Sequence, residues 1–386
     1  MRILWAANFT SQSGYSIQSR LFVPRLKRLG HEVAVFNLGI GAGSLPALVE
    51  GVKVLPPALD PLGSDIIHGH AAHFRADAAI SLIDAWGLNP EIMRHMPWYP
   101  ITPIDRQPVP ERVTNALAAC RAPIALTRWG ERQLRVAGHE SYYLPHGVDP
   151  AVWQPGDRRA ARKALGLADD VFLVSFVGVN DSVPSRKGIP ELLVAWQMFA
   201  QTYPDAMLYL HTSETGNLLT SVFGGVNIPV IIKTLGLDPQ RVRIADQYRY
   251  RTGIPARELA TLAQASDVLI APSRGEGFGL PVLEFQRAGC PVITTDFGAQ
   301  KELNFSGWLV EGDPEWSEQN AFWIGPSIAS IVETLEAAYL ERGDPERRRR
   351  AIEGARDYDI DYVIGKYAMP VLRVIAERAL EGWKAA

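Results

Sequence analysis

The 386-residue sequence predicts an α/β protein of two domains, each a parallel sheet flanked by helices. Three observations predict it. The chain is longer than one hydrophobic core usually serves, so two domains of similar size are expected. Short apolar runs alternate with amphipathic segments of helix length, the pattern of repeated strand–helix–strand units. Finally, residues 267–296, DVLIAPSRGEGFGLPVLEFQRAGCPVITTD, read as a strand, a glycine-rich turn, a short helix and a second strand. The apolar run 267–271 suits a strand buried on both faces. Gly275, Gly277 and Gly279 let the backbone pass close to a ligand, and Pro281 suits a first helical turn, where its missing N–H would be unbonded anyway. Gly289 suits the left-handed end of that helix, and Pro291 forbids its continuation.

This stretch carries chemistry. The backbone N–H groups of Phe278, Gly279, Leu280 and Val282 fall at a helix N-terminus, where they lack intrahelical partners and the macrodipole favours an anion such as phosphate. Glu276 and Glu284 flank the position. A carboxylate beside a phosphate is repelled unless it faces something neutral and rich in hydroxyls, which describes a sugar. Glu284, about one turn into the helix, tilts back toward the N-terminus and suits a ribose; Glu276, in the turn, suits a hexose.

Composition bounds the alternatives. Apolar residues make up 47% of the chain and the net charge is −3, which argues against a dedicated nucleic-acid surface while leaving a local basic groove open. Cys120 and Cys290 lie in apolar neighbourhoods and read as small hydrophobes in a reducing, cytoplasmic setting. The opening MRILWAANF is too short for a signal-peptide core and reads as a buried strand. No 18-residue apolar segment occurs, so a soluble chain is expected, with any membrane contact peripheral.

In chain order, residues 3–7 read as the first strand, followed by the polar loop NFTSQSGYS, a helix stopped by Gly30, and a second strand over 32–36. That loop lacks the G-x-G-x-x-G of a dinucleotide fold, which disfavours a dehydrogenase. Residues 65–69, DIIHG, read as a strand with His68, His70 and His73 at its carboxyl end; no carboxylate or cysteine joins them at metal-ligand spacing. Residues 98–105, WYPITPID, form a further strand, after which Asp105 either meets an acceptor hydroxyl or caps the next segment. PHGVD, with His146 as a cleft or a structural residue, closes the first domain. VWQPGDRRAARKALGL then reads as a linker and a basic helix. Residues 171–177 start the second domain and lead into a loop bearing Arg186 and Lys187. The stretch EWSEQNAFWIGPS shows no readable purpose, and the last segment is an amphipathic helix.

EGFGLPVLE resembles the two-glutamate signature of glycosyltransferase family 4, the group 1 glycosyl transferases. The resemblance implies the GT-B fold, two facing Rossmann-like domains with a deep interdomain cleft. Expected domains are an acceptor-side unit over 1–154, a donor unit over 155–365 and a C-terminal helix over 366–386 packing back on the first. It implies retaining hexosyl transfer from a nucleoside-diphosphate sugar to a hydroxyl acceptor, without a metal or other cofactor. By the same resemblance Lys187, with Arg186 beside it, meets the donor diphosphate, and Gly14 with Tyr15 approaches the donor phosphate. Glu276 meets the transferred sugar, Glu284 the ribose, and His70 lies at the acceptor edge. PHGVD resembles the domain-closing motif, and 246–253 falls where the family meets the nucleotide base. The sequence departs from the family where a histidine commonly ends the strand before Asp105, and Asp105 is the candidate substitute. Rival readings are a nucleotide-sugar-binding protein without efficient transfer and a GT-B nucleotide-sugar epimerase. The acceptor, whether saccharide, lipid carrier, protein or modified nucleobase, stays open.

Overall fold

The structure, a computed structural model, describes residues 1–38, 46–216 and 224–382. It divides into two compact units. One comprises Met1–Gly147, Ser317–Ala321 and the chain from Tyr358; the other comprises Val148–Trp316 and Phe322–Asp357.

The first unit is built on the strands β1 (Arg2–Ala7), β2 (Glu32–Asn37), β3 (Ala47–Val49), β4 (Val52–Leu55), β5 (Ala78–Leu82), β6 (Trp98–Thr102), β7 (Ile124–Ala125) and β8 (Tyr142–Tyr143). They lie in the order β3-β4-β2-β1-β5-β6-β7-β8, parallel except for the β3–β4 pair. β1 is central, with Ile3 in register with Val33 on one side and Ala78 on the other. Burial on both faces explains its apolar run from Ile3 to Ala7. The polar end of its buried Trp5 is satisfied, since Nε1 donates to Ser19 Oγ at 2.9 Å. Ser19 belongs to the helix Gly14–Arg28, which Ser13 caps by accepting from the Ser16 N–H, and Gly30 follows its end at φ +85°.

Residues 65–69 are not a strand. A helix runs over Ile67–Phe74, and the next strand is β5. Ile67, His70, Ala71 and Phe74 are its buried positions, at i, i+3, i+4 and i+7. That helical spacing prevails over the two-residue apolar run that suggested a strand.

The C-terminal segment completes the first unit. Ile360, Val363, Leu372 and Ile375 are buried; full burial of one such side chain contributes about 1.5–3 kcal/mol. Gly147 packs so closely on Ile360 that a Cβ there would lie 2.8 Å from the Ile360 Cα. Buried Gln18 holds the same glycine from the other side, donating to its carbonyl at 2.8 Å and accepting from its N–H at 2.9 Å.

The second unit has the strands β9 (Phe172–Val177), β10 (Ala206–His211), β11 (Val242–Ile244), β12 (Val268–Ala271), β13 (Val292–Thr295) and β14 (Trp308–Val310). These are all parallel, in the order β11-β10-β9-β12-β13-β14. The strand order reverses between β9 and β12, the switch point where open α/β sheets place ligands at the carboxyl ends of the strands. β15 (Gly312–Trp316) and β16 (Phe322–Pro326) form a separate antiparallel hairpin. The basic helix after the linker, Arg158–Ala164, hides a fully buried Arg162. Its Nη2 meets Asp267 at 2.6 Å, and its other nitrogens donate to the carbonyls of Ala265, Ala168, Asp169 and Val171. A guanidinium this deep is tolerated because a counter-charge and a full set of acceptors surround it. No described helix is long and apolar enough to cross a membrane.

Candidate functional site

The loops after β9 and β12 meet in the second unit. Gly188, at φ +66°, follows Lys187, and a Cβ there would lie 2.2 Å from the Pro272 carbonyl oxygen. Only glycine allows that approach, which brings Lys187 against the turn. Lys187 Nζ donates to the Glu276 carboxylate. Arg186 Nη1 donates to Glu276 Oε2 at 3.3 Å and to the Gly275 carbonyl at 3.2 Å, while Nη2 meets Asp181 at 3.2 Å. The Lys187 and Glu276 side chains are 12% and 11% exposed. Burial alone would raise the Glu276 pKa, but Lys187 and Arg186 outweigh it and hold the carboxyl at about 2. Where the sequence suggested a carboxylate facing hydroxyls, the structure shows one facing two cations.

The helix Leu280–Arg287 starts beside this cluster, with Gly279 at φ +100° as its N-cap and no capping side chain. The Val282 N–H is not available to a ligand as expected, because it bonds the Gly279 carbonyl at 3.0 Å inside the first turn. The N–H groups of Gly279 and Leu280 make no hydrogen bond among the described residues. Phe278 is buried. Glu284 is half-buried, and its carboxylate has no hydrogen bond or ion pair with a described residue. Burial pushes its pKa up to about 8.

Toward the outer strands, His211 ends β10 with its ring 5.4 Å from that of Tyr250, and burial lowers its pKa to about 4. Tyr250 belongs to the helix Gln247–Thr252, capped by Asp246. The stretch 246–253 is therefore helical for most of its length.

In the first unit, Gly14 and Tyr15 are the first two residues of the helix Gly14–Arg28. Asp105 follows β6 and accepts from Arg106 Nη1 at 2.8 Å. Sequence reasoning passed over Arg106, yet it is 3% exposed and also donates to Ser317 Oγ and Glu318, both at 3.0 Å. Nothing near position 106 announces this, since those partners come more than 200 residues later. His70 lies on a helix and not at a strand end. It is buried, with Nε2 3.0 Å from the Pro56 carbonyl and its ring against Phe36. His146 is buried as well, and its pKa falls to about 3, so it is neutral. Among the described residues no group of three or more His, Cys, Asp or Glu is placed to hold a metal.

Known proteins similar to this chain fall in one group. The family described as "Glycosyl transferases group 1" matches residues 172–319, which include β9, β12 and both glutamates. A D-inositol 3-phosphate glycosyltransferase of Stackebrandtia nassauensis is 28% identical over 73% of this chain and 66% of its own length. Two further relatives of that name are matched over 35% and 37% of their length, so the chain spans only part of the curated relatives it matches. Among solved structures, sucrose-phosphate synthase from Thermosynechococcus elongatus superposes with a TM-score of 0.75 at 16% identity, over 98% of this chain and 100% of that one. Anabaena HepE in complex with UDP and glucose gives 0.69 at 17%, over 97% and 100%. The chain has the α/β fold of the GT-B glycosyltransferases, and its residues 172–319 match the glycosyl transferases group 1 family.

Proposed function

We propose that this chain is a retaining hexosyltransferase that takes a nucleoside-diphosphate sugar as donor and a hydroxyl group as acceptor, without a metal. The observation that carries the reading is the Lys187–Arg186–Glu276 cluster beside the unbonded N–H groups of Gly279 and Leu280. Two cations and a helix N-terminus form a receptor for a diphosphate, and this receptor is occupied by an internal carboxylate. In this reading the diphosphate takes over Lys187 and Arg186, and Glu276 turns to the hydroxyls of the hexose. Glu284, protonated near neutral pH, both donates to and accepts from the ribose. Asp105 orients the acceptor hydroxyl; His70 and His146 support the acceptor side as buried residues.

The chemistry needs stabilisation of the leaving group. As the bond from the anomeric carbon to the phosphate oxygen breaks, charge grows on the diphosphate. A donor aimed at such charge contributes about 2–4 kcal/mol. The acceptor oxygen bonds the same face of the anomeric carbon, and its proton passes to the departing diphosphate. Lysine, arginine and backbone amides supply the positive field that a divalent ion would otherwise supply. UDP-glucose is the donor to try first, because HepE is described with UDP and glucose, and a polyol phosphate is the acceptor to try first, because of the relatives' name. The two cysteines, both unbridged, support a cytoplasmic setting.

The experiment incubates the full chain with a panel of nucleotide sugars and acceptors, reading consumption by mass spectrometry and anomeric configuration by NMR. A hexose on the acceptor with retained configuration, unaffected by EDTA, is the expected result. Donor binding without consumption would favour the binding-protein reading, which the absence of a histidine before Asp105 motivates. An epimerised donor would favour the epimerase. Activity lost to EDTA and restored by manganese would overturn the metal-free reading.

A further inference from the structure

The hairpin β15–β16 has no part in the donor reading, yet its deepest polar contact runs to the turn that carries Glu276. Arg274, two residues before Glu276, has a side chain only 5% exposed. Nε donates to Glu315 of β15, Nη1 to the Ser185 carbonyl and Nη2 to Glu191, each at 2.7 Å. The backbone is equally committed. Its N–H donates to the Arg186 carbonyl at 2.7 Å, and its carbonyl accepts from the Ile324 N–H of β16 at 3.1 Å. One residue therefore joins the loop bearing Arg186 and Lys187, the turn bearing Glu276, and the hairpin. A planar guanidinium can serve three directions at once, which a lysine ammonium on its flexible stem does not reproduce. Gly325 of β16 leaves room for the arrangement, since a Cβ there would stand 2.1 Å from Glu315 Oε1.

We propose that Arg274 is a positioning residue for the Glu276–Lys187–Arg186 cluster, and that the hairpin serves this site by supplying Glu315 as one arm of the clamp. The proposal rests on the donor reading of that cluster, but one arm of its test does not. Glu191 and the Ser185 carbonyl hold Arg274 from inside the fold, so losing them threatens folding. Glu315 is partly exposed, so its substitution is expected to leave the unit folded.

The test compares the full-length wild type with Glu315→Gln, Gly325→Ala and Arg274→Lys. Hydrogen exchange read by mass spectrometry reports the clamp without any ligand. Faster exchange is expected in peptides covering 184–188 and 273–280, with those of β9 and β13 unchanged. Steady-state transfer reports the consequence. A loss of kcat of about tenfold is expected for Glu315→Gln and Gly325→Ala, inside the roughly hundredfold that misplacement of a reacting group can cost. Melting temperatures should stay near wild type, and Arg274→Lys should not rescue. Unchanged exchange in both peptides overturns the clamp. Faster exchange with full kcat overturns the positioning role. A wild type that transfers no sugar counts against the donor reading alone, because the exchange measurement still decides whether the clamp exists.

Discussion

The turn after β12 and the helix that follows it each carry one glutamate, and the two carboxyls are pushed in opposite directions. Glu276 sits against Lys187 and Arg186 and is held at about 2; Glu284, eight residues on and without a charged partner among the described residues, is pushed up to about 8. Both leave water to a large extent. The difference is that one finds cations and the other finds only low dielectric. Near neutral pH the first is an anion and the second carries its proton. In the proposed function this divides the labour, an anion that yields its cations to the diphosphate and a neutral acid that holds neutral hydroxyls.

Three perturbations test that contrast. The largest effect is expected from Lys187→Ala, which in the proposed function removes the charge-assisted contact to the leaving group. Turnover should fall on the order of a hundredfold, and a variant within twofold of wild type would take Lys187 out of the donor site. Next is Glu276→Gln, which should lower turnover but tighten the bare nucleoside diphosphate, because it removes the carboxylate that competes for Lys187. Calorimetry should show a gain on the order of tenfold, equivalent to about 1.4 kcal/mol. Glu284→Gln should instead weaken nucleoside binding, by about threefold to tenfold, as expected for loss of a neutral hydrogen bond. Equal losses in the two variants would erase the contrast.

The smallest effect is a pH dependence of stability. The folded pKa of Glu284, about 8, lies above its ordinary value of 4.5. The folded state therefore binds the proton more tightly, and the stability this contributes is complete below pH 4.5 and lost as pH rises through 8. Glu284→Gln should thus gain on wild type between pH 5 and pH 9, by roughly 2 °C or more in melting temperature. For Glu276 the sign reverses, since its stabilisation is present above pH 4.5 and is lost as pH falls toward 2. Thermal scans across this range that run parallel for wild type and Glu284→Gln would show that Glu284 titrates normally.

Much of the fold was legible because its causes are local. The apolar run of β12 and Gly289 at φ +89° each act within a few residues of themselves. The one strand misread, 65–69, failed for an equally local reason: two adjacent isoleucines outweighed the i, i+4, i+7 spacing of Ile67, Ala71 and Phe74. The string EGFGLPVLE pointed to the site as a whole, because a glycine-rich turn and a helix start must be contiguous in sequence.

By itself, then, the sequence determined the order of the elements, the strand–turn–helix that offers amides to an anion, and the identity of the charged residues on the two loops. Only the tertiary structure decided which charges meet. Lys187 and Glu276 are 89 positions apart, Arg106 and Glu318 are 212 apart, and Arg162 finds Asp267 across 105. Each pair depends on how strands are ordered in a sheet or how a hairpin packs. No periodicity within one segment encodes that, and the protonation states of Glu276, Glu284 and His146 follow from it, because burial and partner are properties of the folded chain.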